Sequence, residues 1–425
     1  VTQNIFAAAL PMLVAQILNL LYNIVDRIYI ARIPHIGTAA LGAVGLCFPL
    51  VVIITAFANL FGSGGAPLFS ISRGQKRNKQ AVHIMNTSFT MVCFSAVVLM
   101  LIGLLFARPL LILFGASKDA LVYAFPYMMI YLIGTLPSMI AIGMNPFINA
   151  QGYSTIGMFS VAIGAVANLL LDPFFIFALG FGVRGAAIAT VISQCLSASF
   201  VLFFLTKKAE LKVRFLHKNE LSESFGYAKN IISLGTAGFI MQLTNGLVSI
   251  VCNNVLSVTG GDIYISVMTI VSSVRQLVET PIYAMNEGGS PILSYNYGAR
   301  RPARVRKAMV VMSAMILCYT AVMWSVIDEI KNKAKANKKT VVLPETTDMR
   351  TLTAAAEVIS EEIADIILVG KEDEIKAKAE AEGLDLAKAS FVDPENCDHL
   401  NTYIESLCEA RKSKGLLPED AKEIL

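Results

Sequence analysis

A fourteen-residue segment occurs twice in this chain, 224 residues apart, and this repeat constrains the fold more than any other feature. The segment GGAPLFSISRGQKR at 64–77 returns as GGSPILSYNYGARR at 288–301, with six identical positions. Each copy follows a long apolar run and ends in a basic loop. The spacing is too long for a solenoid and suits half of a polytopic membrane protein, so the repeat predicts two related helix bundles. Two bundles that face one cavity are typical of secondary transporters.

The composition fits a membrane protein and changes abruptly near the C-terminus. Hydrophobic residues make up 55% of the 425 residues, and the mean hydropathy is +0.62, which is too apolar for a soluble domain. Of the 31 acidic residues, only nine precede residue 328. The formal charge is +12 before that point and −8 after it. We therefore expect a membrane part followed by a tail that lies in a different environment.

Nine apolar runs are long enough to cross a bilayer as helices. They lie at 5–32, 40–69, 81–106, 120–148, 154–179, 185–206, 227–257, 263–295 and 308–327. Clusters of Lys and Arg follow the second, sixth and eighth runs. These loops therefore share one side of the membrane, which we expect to be the cytoplasm together with the N-terminus.

The predicted fold is an all-α polytopic membrane protein with a six-helix bundle and a truncated second bundle, followed by a small α/β fragment. In that fragment, apolar runs at 340–343 and 366–369 flank an amphipathic helix, which predicts a Rossmann-like βαβ unit. Nine spans from a cytoplasmic start would deliver the tail to the outside, whereas its composition is typical of the cytosol. We therefore expect a chimeric chain that was truncated and joined near residue 327. The predicted domains are a first lobe at 1–206, an inter-lobe loop at 207–226, a truncated second lobe at 227–327 and the tail at 328–425.

A polar stripe runs along the first predicted helix. Gln16, Asn19, Asn23 and Asp26 are spaced by three, four and three residues, which places them on one helix face. A seam of hydrogen bonds between helices would explain the amides alone. An ionisable side chain at bilayer depth costs a few kcal/mol, however, and the carboxylate therefore favours a cavity that binds a cation or a proton.

A second polar group lies in the fifth predicted helix. Asn168 and Asp172 are four residues apart, and Pro173 cannot donate a hydrogen bond to the carbonyl of Leu169. An acid, an amide and a released carbonyl suit a hard cation or a proton. The alternative is that Asp172 only caps a kink near the membrane surface. Thr190 in the next helix adds a hydroxyl group, although a lone Thr usually bonds to its own backbone.

Polar groups of the second lobe are less informative. Gln242 and Asn245 correspond to Gln16 and Asn19 at an offset of 226. Arg275 and Glu279 are four residues apart and favour an internal ion pair. Glu287 precedes the repeated glycines, where we expect a solvated helix end. We treat the repeated glycine block itself as a structural turn in which the later glycine and the basic residues form the loop.

The segments PMLVAQILNLLYNIVDRIYI, GGAPLFSISRGQ, ANLLLDPFFIF, GAAIATVISQ and SPILSYNYGA together resemble the multidrug and toxic-compound extrusion (MATE) family, in particular its bacterial DinF/MepA-like branch. The resemblance covers about three-quarters of the chain. It implies a V-shaped pair of six-helix bundles that export organic cations in exchange for H⁺ or Na⁺. The family's ion-coupling groups correspond to Asp26, Asn168, Asp172 and Thr190, and Na⁺ at these four residues is the alternative to H⁺. Three helices of the second lobe have no counterpart, and we expect impaired transport for that reason.

The tail carries a second resemblance. The segment KTVVLPETTDMRTLTAAAEVISEEIADIILVG looks like the N-terminal segment of phosphate acetyltransferase. That family's catalytic groups lie beyond its first hundred residues, so none corresponds to a residue of this chain. The tail on its own has no phosphate loop, catalytic triad or metal-ligand cluster. We therefore expect no enzymatic activity.

The predicted function is secondary active efflux of drugs or organic cations across the bacterial cytoplasmic membrane. A lipid-linked precursor flippase would need a cavity lined by several cationic side chains, and the spans contain few, mainly Arg27, Arg184 and Arg275. An acetyltransferase-related fragment in the tail is the other alternative. We expect a monomer surrounded by membrane lipid, no resident metal or cofactor apart from the coupling ion, and no nucleic-acid partner.

Overall fold

A computed structural model describes residues 1–34, 36–114, 116, 118–217, 220–343, 346 and 348–393. Side chains are described for these residues except 38, 39, 118, 119, 221, 249, 250, 253–274, 277 and 350. The chain divides into two compact units, Val1–Leu317 and Cys318–Leu425. The helices before the tail are α1 Thr2–Ala31, α2 Gly37–Gly74, α3 Asn78–Leu113, α4 Lys118–Ile133, α5 Thr135–Ala150, α6 Ser154–Pro173, α7 Val183–Phe203, α8 Leu221–Gly298 and α9 Pro302–Ala336.

Most of the predicted spans correspond to observed helices. Among the described residues, seven helices are long and apolar enough to cross a membrane, or eight if the bent pair α4 and α5 counts as one span. Many of their large apolar side chains are exposed, as expected for surfaces that face lipid rather than water. In the predicted run at 263–295, the side chains of 263–274 and 277 lie outside the described residues, and nine spans therefore stay a prediction.

A break divides the predicted fourth span at Gly134. The axes of α4 and α5 differ in direction by 55°. Pro137, three residues after the break, has no N–H for the carbonyl of Ile133, and its ring clashes with that carbonyl in a regular helix. The proline therefore ends one helix and begins the next, which confirms the kink that its position predicts.

The helix that carries Asp172 also changes its geometry at a proline. α6 ends at Pro173 and continues as a π-helical turn, Phe174–Ala178, in which the N–H of Leu179 donates to the carbonyl oxygen of Phe174 at 3.0 Å. Because the proline donates no hydrogen bond, the backbone takes a wider turn at this point. Such π-turns are frequent at functional sites.

The long helical element α8 folds back on itself. A Cβ added at Gly64 would lie 2.4 Å from the carbonyl oxygen of Ile231, and one added at Gly74 would lie 2.1 Å from that of Tyr295. Gly64 and Gly74 are about 15 Å apart along α2, whereas a straight helix would separate Ile231 from Tyr295 by about 96 Å. Both ends of α8 therefore pack against the same half of α2, and the element reverses between them.

The two copies of the sequence repeat meet in a nearly symmetric contact. A Cβ at Gly74 would collide with the carbonyl oxygen of Tyr295, and one at Gly298 would lie 2.1 Å from the carbonyl oxygen of Ile71. Gly74 and Gly298 are 224 residues apart, and so are Ile71 and Tyr295. The halves are therefore related by a pseudo-two-fold operation at this point. Glycine is needed because the two backbones are too close for a side chain.

The turns that follow the repeated glycines are also equivalent. Lys76 and Arg300 adopt left-handed backbone conformations, with φ of 61° and 52°. The N–H of Arg77 donates to Ser72 O at 2.9 Å, and that of Arg301 donates to Asn296 O at 3.1 Å. These bonds close each helix in the Schellman manner. The basic residues thus take part in the turns, as predicted, whereas the later glycines, Gly74 and Gly298, are the last residues of their helices.

The inter-lobe loop is shorter than predicted and is held by specific bonds. A π-helical turn, Phe204–Lys208, prolongs α7, and α8 already begins at Leu221. The Arg214 guanidinium donates two hydrogen bonds to the Glu220 carboxylate at 2.7 and 2.9 Å. These bonds, with one from the backbone N–H of His217, lower the pKa of Glu220 to about 2. The carboxylate therefore stays charged at physiological pH and keeps the loop in place.

The tail forms a small parallel α/β unit, as predicted. Strands β1 Thr340–Leu343, β2 Asp365–Val369 and β3 Ser390–Val392 alternate with α10 Met349–Ser360 and α11 Glu372–Ala381. The sheet order is β1-β2-β3, and Val341 pairs with Ile366. Leu352, Ile366 and Leu368 lie in its apolar core. The predicted runs at 340–343 and 366–369 are thus neighbouring strands joined by an amphipathic helix.

The glycine contact makes a testable prediction. Gly74→Ala should destabilise the protein by roughly 1–3 kcal/mol, because the added methyl group overlaps the Tyr295 backbone. Gly42→Ala, in the same helix, is the matched control, since nothing lies within 4 Å of its Cβ position. It should leave stability unchanged or raise it slightly. Thermal unfolding in detergent measures both, and equal melting temperatures for the two variants would contradict the close contact.

Candidate functional site

The predicted ion-coupling groups come together inside the first bundle. Asp172 and Asn168, both on α6, are buried. The Asn168 Nδ2 donates to Asp172 Oδ1 at 3.2 Å and lies 3.4 Å from the Thr190 hydroxyl of α7. The Thr190 hydroxyl itself donates to the carbonyl oxygen of Ala186, the backbone bond usual for a lone helical Thr. Its oxygen still faces the amide.

Asp26 completes this cluster from α1. Its carboxyl group lies close enough to the Asp172 carboxyl group for the two to interact electrostatically. Two adjacent carboxylates repel each other, so such a pair is favourable only when it holds a proton or a cation. The geometry therefore fits a pair that shares a proton between two helices.

Three oxygen atoms of the cluster lack a hydrogen-bond donor. They are Asp26 Oδ1, Asp172 Oδ2 and Asn168 Oδ1, and all three are buried. Buried acceptors without donors are costly and call for a proton, a cation or a water molecule. Carboxylate, amide and hydroxyl oxygens are ligands of hard cations, so the donor set also fits Na⁺. The residues that would hold it are Asp26, Asn168, Asp172 and Thr190.

A cavity of about 610 Å³ lies next to the cluster. Its walls come from α1, α2, α5, α6 and α7 of the first bundle and from residues 286–291 of α8. Asn168 and Thr190 belong to both the cavity wall and the ion cluster. Most lining residues carry polar side chains: Gln16, Asn19, Tyr22, Thr55, Asn59, Ser63, Ser138, Asn145, Asn149, Asn168, Thr190, Ser193, Gln194, Ser197, Asn286, Glu287 and Ser290.

The polar stripe of α1 leads from this cavity to the carboxyl pair. Gln16 and Asn19 line the cavity. The Asn23 Nδ2 donates to the backbone oxygen of Asn19 at 2.7 Å, so this amide serves its own helix. Asp26 lies ten residues beyond Gln16, which corresponds to about 15 Å of helix. One rigid helix thus carries both a cavity group and an ion-binding group.

Tyrosines surround the Asp26 carboxyl group. Tyr22 lines the cavity, and both Tyr22 and Tyr127 lie within electrostatic range of Asp26. Tyr127 and Tyr131 of α4 are buried and stacked, with ring centroids 6.2 Å apart. Sequence reasoning missed these residues, because a tyrosine in an apolar helix usually indicates packing.

The predicted groups of the second lobe lie away from the cavity. The Gln242 Oε1 accepts a hydrogen bond from Asn59 at 3.1 Å, and only Asn59 belongs to the wall. Arg275 Nε and Glu279 Oε1 are 4.0 Å apart with mostly exposed side chains, which fits the ion-pair alternative. Asn245 is also absent from the described cavity wall.

Several wall residues were not identified from the sequence. Asn145 and Asn149 on α5 are four residues apart, and Gln194 on α7 lies four residues after the predicted Thr190, a spacing that also occurs in the α1 stripe. Glu287 was expected at a solvated helix end; the residue is exposed, but the helix does not end there. Helix α8 continues eleven residues further to Gly298, which places Glu287 on the cavity wall.

Comparison with known proteins agrees with this geometry. Residues 11–174 match the family model described as MatE. "Multidrug export protein MepA" of Staphylococcus haemolyticus is 26% identical over 321 residues, which cover 74% of this chain and 70% of the relative.

The membrane part also has the MATE transporter fold. A solved structure described as the outward-facing conformation of a multidrug resistance MATE family transporter has a TM-score of 0.71 at 24% identity. The likeness covers 79% of this chain and 73% of that chain. The membrane part thus shares the fold of that transporter, and its described residues include seven helices long and apolar enough to cross a membrane.

The tail matches a different family. Residues 325–425 match the family model described as Phosphate acetyl/butaryl transferase. Phosphate acetyltransferase of Thermoanaerobacterium thermosaccharolyticum is 46% identical over 101 residues, which cover 24% of this chain and 30% of that enzyme. The match lies at the C-terminal end of this chain and begins at residue 325, slightly before the predicted boundary. That it corresponds to the N-terminal part of the enzyme stays a prediction.

Proposed function

We propose that this chain is a secondary transporter that exports small organic cations in exchange for H⁺ or Na⁺. The observation that carries this proposal is the carboxyl pair of Asp26 and Asp172, held away from bulk water beside a polar cavity. The printed function of the MepA relative, multidrug export, supports the same conclusion.

Exchange follows from competition for the same negative charge. When a proton or Na⁺ occupies the pair, the cluster is neutralised and gains nothing from a second cation nearby. When it leaves, the uncompensated carboxylates attract a cation in the adjoining cavity. Binding of one ion therefore weakens binding of the other, and this coupling is reciprocal.

The cavity wall favours an exporter of cations over a flippase for anionic, lipid-linked precursors. Such a flippase would need several cationic groups to bind phosphates. Among the described residues of the wall there is no Lys, Arg or His. The charge that does face the cavity is the carboxylate of Glu287.

The proposal includes a membrane, an orientation and an oligomeric state. The basic loops after α2 and α8 support a cytoplasmic position for the repeated turns and for the N-terminus. We infer that the chain lies in a bacterial cytoplasmic membrane, in contact with lipid, and acts as a monomer.

The transport proposal is tested by removing the carboxylates. Asp26→Asn and Asp172→Asn should slow rhodamine 123 transport into proteoliposomes under a pH gradient by about tenfold or more, because the coupled ion loses its site. Glu279→Gln is the matched control, since it makes the same chemical change at a half-buried position of α8 that is not part of the cavity wall. Transport that is equally fast in the parent and both Asn variants would reject the site.

We propose no acetyl-transfer activity for the tail. This proposal rests on the extent of the match, which covers 30% of the phosphate acetyltransferase. The full chain, assayed with acetyl-CoA and phosphate, should form acetyl phosphate no faster than buffer. A rate that depends on the protein concentration would show that the tail holds a working active site.

A further inference from the structure

Glu287 lines the cavity but does not belong to the ion-coupling cluster, so its charge needs a separate explanation. Among the described wall residues, it is the one with a formally charged side chain. It belongs to the second half of the protein, whereas Asp26 and Asp172 belong to the first. An ionisable residue at this depth in a membrane protein indicates a function.

The Glu287 carboxylate has one recorded hydrogen-bond partner. The Gln16 Nε2 donates to Glu287 Oε2 at 3.2 Å, across the gap between α1 and α8. A carboxylate accepts about four hydrogen bonds, and no cationic side chain of the described residues lies within ion-pair distance of this one. Most of its acceptor capacity therefore faces the cavity.

The neighbours of Glu287 are neutral amides and hydroxyls. Asn286 and Ser290 lie beside it on α8, and Asn19 lies one turn from Gln16 on α1. An amide donor stabilises a carboxylate less than a cation does. A cationic ligand at this wall would thus replace a weak partner with a strong one, whereas an anion would be repelled.

We propose that Glu287 binds the charged centre of the transported organic cation, and that this cation displaces Gln16 from the carboxylate. The inference rests on the proposed function and names the residue that selects the cargo by charge. Glu287 thereby discriminates cations from anions of the same shape.

Through this displacement, both the cargo and the coupling ion act on helix α1. Gln16 and Asp26 lie on the same face of α1, about 15 Å apart. The bond between Gln16 and Glu287 ties α1 to the second half of the protein. When the cargo breaks this bond, α1 loses a contact with α8 while it still holds the carboxyl pair. Gln16 is therefore a positioning residue that acts through Glu287.

Two dyes of the same skeleton and opposite charge test the proposal. Rhodamine 123 is a cation and fluorescein an anion, and both share the xanthene ring system. Equilibrium binding to the purified full chain in detergent is measured by fluorescence anisotropy. Glu287→Gln should weaken rhodamine 123 binding roughly tenfold or more, the effect of losing a charged hydrogen bond, and should leave fluorescein binding unchanged or stronger.

Two further variants are informative. One distinguishes loss of the charge from misfolding, and the other tests whether the cargo displaces Gln16. Glu287→Asp keeps the charge and should bind rhodamine 123 more tightly than Glu287→Gln. Gln16→Leu should tighten rhodamine 123 binding about two- to tenfold, because the cargo no longer competes with an amide. Equal loss of both dyes in Glu287→Gln, unchanged rhodamine 123 affinity, or weaker binding in Gln16→Leu would overturn the inference.

The outcome is distinguishable from failure of the proposed function. If rhodamine 123 transport requires Asp26 and Asp172 but rhodamine 123 affinity is unchanged in Glu287→Gln, this inference alone is wrong. If rhodamine 123 binding requires Glu287 but transport is unchanged in Asp26→Asn and Asp172→Asn, the ion-coupling assignment is wrong and the assignment of Glu287 to the cargo is retained.

Discussion

The protein depends on two carboxyl groups that are held against each other inside a helix bundle. Asp26 from α1 and Asp172 from α6 are close enough to interact electrostatically, and each has one buried oxygen without a donor. Such an arrangement is unfavourable unless a proton or a cation is present. The surrounding structure imposes it: Asn168 orients the Asp172 carboxyl group, and Pro173 with its π-turn fixes the end of α6. The resulting need for an ion is what makes the site useful for exchange.

A second constraint determines how the halves meet. The backbones of α2 and α8 approach so closely at Gly74 and Gly298 that neither position has room for a side chain. The equivalent turns at Lys76 and Arg300 end both helices in the same way. This contact leaves the polar faces of α1, α5, α6 and α7 opposite residues 286–291 of α8. The cavity is therefore a consequence of the pseudo-symmetric packing, and its two walls differ in charge because the two halves differ in sequence.

Much of this could be predicted from the sequence, for identifiable reasons. The repeated segment predicted the pseudo-symmetry, and the apolar runs predicted the helices. The spacing of Asn168 and Asp172, with Pro173 after them, predicted a cluster that the structure assembles with Thr190. The tail's alternation of apolar runs and an amphipathic helix predicted a parallel βαβ unit. In each case the pattern is local, so periodicity was sufficient.

The remaining features depend on contacts between distant segments. Glu287 was assigned to a solvated helix end, because the sequence does not show that α8 continues to Gly298 or that Gln16 lies opposite. Tyr127 and Tyr131 gave no signal, since aromatic residues are common in apolar helices. Gln242 corresponds to Gln16 in the repeat, yet it does not line the cavity and only accepts a hydrogen bond from the wall residue Asn59. Internal repeats preserve helix positions better than they preserve the roles of individual side chains.

The most direct test of the central claim is whether binding of the cargo displaces a proton from the protein. Purified protein in weakly buffered detergent is titrated with rhodamine 123 while the pH is recorded. Exchange at the Asp26 and Asp172 pair predicts release of about one proton per dye molecule bound, and no release from Asp172→Asn. Dye binding without proton release in the parent, at any pH and in the absence of Na⁺, would contradict proton exchange. If the dye releases no proton but displaces added Na⁺, then Na⁺ is the coupling ion. If the dye displaces neither a proton nor Na⁺, the account is refuted.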